Sequence, residues 1–121
     1  MVVCWMVGAP IAAPAVDVDH SGKALVFDYG DFVVKVKYVS DAKLAWEQIK
    51  GPTPGLKGEE SYGWVEIRAQ VYFVWFQERD TSVVSQVVDL ERRRVHTTWI
   101  SPEKKMEHFE GTVEILDSPQ P

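Results

Sequence analysis

Three side chains in this sequence have the chemistry to move protons in an enclosed site: Glu47, Tyr29 and His96. Glu47 lies in KLAWEQI (43–49). Facing a sheet interior among aromatic rings, its charged form would be desolvated and its pKa raised, which suits a general acid or base near neutral pH. In an extended chain Ala45 and Ile49 share its face, which argues for an inward orientation. Leu44 and Trp46 on the opposite face are equally apolar, so a solvated Glu47 is the alternative. His96, in RVHTTWIS (94–101), shares a face with Thr98 and Ile100, where it can shuttle protons or act as a hydrogen-bonded structural histidine. His20 and His108 lie in other segments and no pair has ligand spacing on one element, so no metal is expected. No GxSxG, P-loop or GxGxxG pattern is present, and Ser82 and Ser85 have no acid–base partner in their Val-rich run. Nothing in the chain implies a cofactor.

The elements that must position these residues are strands. The stretch from 70 to 102, QVYFVWFQERDTSVVSQVVDLERRRVHTTWISP, holds three apolar runs of mostly β-branched and aromatic residues, broken only at ERD and LERRR. Similar segments flank it. KALVFDY (23–29), FVVKVKYV (32–39), KLAWEQI (43–49) and YGWVEIRA (62–69) precede it, and MEHFEGTVEIL (106–116) follows. In FVVKVKYV, Phe32, Val34, Val36 and Tyr38 fall on one face and Val33, Lys35 and Lys37 on the other, the two-residue period of a half-buried strand. GPTPGLKGEES (51–61) reads as the one long loop, Pro102 ends the seventh strand, and SPEKKM (101–106) has the composition for a single helical turn. Eight sequential strands with short connections predict an all-β, eight-stranded antiparallel up-and-down barrel over 22–116, with an interior just wide enough for side chains or one small ligand. A two-sheet sandwich is the alternative, but its crossovers need longer connections. Residues 1–21 are expected to be an arm or an extra strand packing on the barrel, and 117–121 a frayed tail.

Composition narrows the partners. At 121 residues the chain makes one domain. It carries 18 acidic against 13 basic residues, and the clusters Arg92–Arg94 and Lys104–Lys105 fall at turns, so no nucleic acid is expected. No run approaches the roughly 20 apolar residues of a membrane span. The apolar start MVVCWMVGAPIAAPAV lacks a positive n-region and is interrupted by Gly8, Pro10 and Pro14. With the single Cys4, this gives an expectation of a cytoplasmic protein.

The strand sequences carry a family resemblance. From Trp75 to Pro102 run a Trp, a polar pair, Thr81, a Val-rich strand, then His96 and Pro102, with weaker likeness in ALVFDYGDF and WEQIKG. On these residues the chain resembles the MoaF-like proteins and, more distantly, the bacterial phenolic acid decarboxylases, which share a calycin (lipocalin-like) barrel. The decarboxylases act without a cofactor through two tyrosines, an arginine and a glutamate. Laid on this sequence those positions fall on Phe27, Tyr29, Glu47 and Gln77, so three of four are changed. A carboxylate in place of a substrate-clamping arginine repels a carboxylic acid, and phenolic acid decarboxylation is not expected. The resemblance implies a barrel with a pocket, into which Phe27, Tyr29, Glu47, Phe73, Trp75 and Gln77 face. Trp46 and Thr98 complete the expected ligand contacts. The alternative is that these aromatics simply fill the barrel.

With five Trp and four Tyr, the leading expectation is a barrel that binds a small aromatic or apolar molecule. A cofactor-independent lyase, isomerase or cyclase in the same pocket is the second, using Glu47, Tyr29 and His96. A non-catalytic interaction domain is the third. Both faces of the 70–77 strand are apolar, Tyr72, Val74 and Phe76 being taken as the outer set; a second subunit or the N-terminal arm would cover such a face, and a homodimer is expected.

Overall fold

In the computed structural model, which describes residues 22–116, eight strands follow one another: β1 (Ala24–Asp28), β2 (Val33–Tyr38), β3 (Lys43–Lys50), β4 (Lys57–Arg68), β5 (Val71–Gln77), β6 (Val83–Asp89), β7 (Arg94–Ile100) and β8 (Met106–Leu116). Each pairs antiparallel with the next, and β1 also pairs with β8, from Ala24 against Leu116 to Asp28 against Thr112. The barrel is therefore closed and leaves no strand edge unpaired in the ring. The expected arm at 1–21 and tail at 117–121 lie outside the described residues.

Local chemistry explains the tight corners. The Asp28 carboxylate accepts the Gly30 amide at 2.9 Å, and Tyr29 N donates to Phe32 O to close the β1–β2 turn. Asp89 accepts the amides of Glu91 and Arg92 at 3.0 and 2.9 Å, so Arg92 and Arg93 belong to a solvated turn, while Arg94, also exposed, opens β7. Those donors hold the Asp89 carboxyl below the usual carboxylate range. Two connections differ from expectation. β4 begins at Lys57, pairing with Glu47, so the long loop shrinks to 51–56 and the polar run KGEES is strand. Here pairing with β3 overrides weak strand propensity. Residues 101–105 make no helical turn: Ser101 and Lys105 close a hairpin through a 2.8 Å backbone bond, with Lys104 in the left-handed region.

Four connections (29–32, 51–56, 78–82 and 101–105) gather at one end of the barrel, and 39–42, 69–70 and 90–93 at the other. The second end is packed solid. Leu25, Tyr38, Trp64, Tyr72, Val74, Val88 and Leu90 leave about 10 Å³ there, room for a single water at most. Leu44 and Val95 are fully buried. The interior of the first end is open.

Candidate functional site

The open end is a cup of about 320 Å³. Every strand except β4 sends inward side chains to it or to its rim. Phe27 comes from β1, Val34 and Val36 from β2, Trp46 and Gln48 from β3, and Phe76 from β5, with Glu78 just beyond it. Val84 and Gln86 come from β6, Thr97 and Trp99 from β7, and Phe109 from β8, while Tyr29, Phe32, Pro52 and Leu56 reach in from the loops. The wall is predominantly aromatic and aliphatic, the environment that takes apolar surface out of water.

Polar groups converge at one place inside. Tyr29 Oη and Thr97 Oγ1 are hydrogen-bonded at 2.7 Å. Gln86 Nε2 donates to Thr97 Oγ1 at 3.3 Å and to Tyr29 Oη at 3.5 Å. Burial pushes the Tyr29 phenol up to about 12 against the opposing effect of these bonds, so it remains a neutral hydroxyl at ordinary pH. Its ring stacks on Phe32 at 4.8 Å, and Phe32 meets Phe109 edge-on at 5.1 Å. Gly111 makes this wall possible: a Cβ there would lie 2.4 Å from the Asp28 carbonyl oxygen and 3.0 Å from the Tyr29 ring. Opposite, the Trp46 indole donates to Glu60 at 3.2 Å and lies against Gly58.

At the mouth stands Glu78. Burial, followed by the charges of Asp80 and Glu60, pushes its carboxyl up to about 7.

Of the residues expected at the site, Phe27, Tyr29 and Trp46 line the cup. The remainder face outward, and the expected inward orientation is corrected for each. Glu47 is exposed between Lys35 of β2 and Lys57 of β4, its cross-strand neighbours, and a carboxylate flanked by two cations is best solvated there. Phe73, Trp75 and Gln77 point outward, whereas Tyr72, Val74 and Phe76 are buried inside, the reverse of the expected faces. The partners decide this: Tyr72, Val74 and Phe76 pair with Val88, Gln86 and Val84, which are themselves buried. Trp75 finds its place outside over Gly63, where a Cβ would meet the indole at 2.4 Å. His96 and Thr98 lie on the outer face of β7. His96 sits 3.4 Å from Glu110 and stacks on His108 at 5.6 Å. The inward residues of that strand are Thr97 and Trp99.

Sequence reasoning thus missed Glu78, Gln86, Thr97, Trp99 and Phe109. Glu78 follows Gln77 directly, so an inward Gln77 turns Glu78 outward, and reversing that one face brings Glu78 in. The signal available was Lys35 and Lys37, whose outward face in the cleanest alternating strand places paired Glu47 outward too. Among the described residues no group of His, Cys, Asp and Glu could hold a metal ion, and no helix is long and apolar enough to cross a membrane.

This geometry defines a class: a small closed antiparallel β-barrel, solid at one end and hollowed into an apolar cup at the other. The chain belongs to the MoaF-like family, whose profile matches residues 21–114. Among solved structures it is similar to a candidate beta-lactamase from Burkholderia vietnamiensis, with a TM-score of 0.76 and 22% identity over 79% of this chain and 94% of that one. At that identity the likeness shows the fold alone. No protein with a curated description matches.

Proposed function

We propose that this barrel binds one small aromatic or otherwise apolar molecule in the cup, without transforming it. The carrying observation is the cup itself: about 320 Å³ walled by aromatic and aliphatic side chains, with Tyr29, Gln86 and Thr97 converging inside. That volume lies at the low end of ligand sites and suits a molecule of about one ring with a short substituent. The neutral polar trio offers a hydrogen bond to orient such a guest, and the apolar wall supplies the affinity.

Native mass spectrometry against small aromatic and apolar compounds tests this. A single adduct per chain is expected, accompanied by a change in tryptophan fluorescence from Trp46 and Trp99. Val84→Trp, which fills the cup, abolishes the adduct. A chain that retains no compound from such a set overturns the reading.

A second reading is favoured by one feature, a carboxyl poised near neutrality in the same cup as a neutral phenol. A cofactor-independent lyase, isomerase or cyclase would take its acid–base group from Glu78, since Glu47 and His96 lie outside the barrel. It requires that a bound compound change mass or structure on incubation, and that Glu78→Gln stop the change while leaving the adduct.

A further inference from the structure

The cup has an unbalanced charge. Its lining includes one carboxylate, Glu78, and no lysine, arginine or histidine. Glu60 stands nearby on β4, tied to the lining through the Trp46 indole at 3.2 Å. Among the described residues neither glutamate enters an ion pair. Phe32, Trp46, Phe76, Trp99 and Phe109 surround the same space.

A carboxylate at an apolar, partly desolvated mouth is costly until a cation or a proton joins it. Aromatic faces attract cations through the negative face of the ring, with Trp the strongest of them. The two features favour the same chemistry from different directions. An anionic guest would meet Glu78 and Glu60 and be repelled, and a neutral one would leave Glu78 without a counter-charge. Because Glu78 stands at the mouth and the Tyr29–Gln86–Thr97 trio is neutral, the charged end of a guest belongs at the rim and its apolar body inside.

Resting on the binding reading above, we infer that the cup selects organic ammonium compounds, an apolar or aromatic body carrying one protonated amine, with the ammonium held by Glu78 at the mouth. Burial, with Asp80 and Glu60 nearby, pushes the Glu78 carboxyl up to about 7, in keeping with a carboxyl that has no counter-cation in the free cup.

The test compares three probes of nearly equal shape, 3-phenylpropylammonium, 3-phenylpropan-1-ol and 3-phenylpropanoate, by isothermal titration calorimetry at mildly alkaline pH. The ammonium is expected to bind about tenfold or more tightly than the alcohol, as a charge-assisted hydrogen bond adds to the shared apolar contact. The propanoate is expected to be weakest. In Glu78→Gln the ammonium is expected to lose its preference over the alcohol, while the circular-dichroism spectrum and melting curve of the variant report that it is folded. Alcohol binding as tight as ammonium binding overturns this inference and leaves the binding reading standing. Survival of the ammonium preference in Glu78→Gln removes the role given to Glu78. Failure of all three probes overturns this inference, and the binding reading is then decided by the wider set of aromatic and apolar compounds.

Discussion

A carboxylate that folding sets against aromatic walls resists ionisation, and Glu78 shows the consequence for stability. Its pKa rises from the ordinary 4.5 in the unfolded chain to about 7 in the fold, by burial first and then by Asp80 in its own turn and Glu60 on β4. The folded state thus holds more protons than the unfolded one between those values. Its contribution to stability is fully present below about 4.5 and is lost as pH rises through about 7. Thermal melts of wild type and Glu78→Gln across this window are expected to diverge: the variant gains stability relative to wild type as pH rises from 5 towards 8. Parallel melting curves would show that the carboxyl is not perturbed. Tyr29, raised to about 12, contributes no such slope in this range.

At the scale of elements, closure of the ring depends on how closely β1 and β8 approach. Gly111 on β8 lies where a Cβ would press on the Asp28 carbonyl at 2.4 Å, and the backbone there is held by ladder bonds on both sides. Gly111→Ala is therefore expected to destabilise the barrel by about 1–3 kcal/mol in denaturant unfolding, the cost of overpacking. Because Tyr29 Cδ1 is the next neighbour at 3.0 Å, the same change should weaken retention of a compound in the cup. A variant as stable as wild type would mean that the β1–β8 seam yields easily.

The whole molecule presents two unlike sides. The outer face of β2 and β3 carries Lys35, Lys37 and Glu47. The outer face of β4 to β6 carries cross-strand rows Val65–Phe73–Val87 and Gly63–Trp75–Ser85, all uncharged. Val65, Ile67 and Trp75 are 49%, 57% and 43% exposed there. A continuous apolar patch of this kind on one side of a barrel suits a self-complementary contact between two copies related by a two-fold axis. We propose a homodimer through this face. Light scattering is expected to give twice the chain mass, and Ile67→Asp with Trp75→Lys to give the monomer with the cup intact. A wild-type monomer would remove the proposal.

The eight strands and their up-and-down order were legible in the chain, because β-branched and aromatic runs separated by Asp, Gly and Ser corners leave few other ways to satisfy the backbone. Phe27 and Tyr29 were legible as lining only through the family resemblance, and Trp46, expected as a ligand contact, lies in the cup although its face was taken as opposite to that of an inward Glu47. What the chain alone left open was the sign of each face. In β2, where lysines alternate with valines, inside and outside are written in residue type. In β5, VYFVWFQ is apolar on both faces, so the two-residue period is present without a direction. Its direction came from Val84, Gln86 and Val88 of the next strand and from Gly63 of the one before, which makes room for Trp75 outside. That choice, taken by pairing across the sheet, put Glu78 at the mouth of the cup and left Glu47 and His96 in solvent. Hydrophobic pattern along the chain determined the barrel; which groups share its interior was decided only by the ring closing on itself, since a closed ring gives every strand two neighbours that must agree on which side is in.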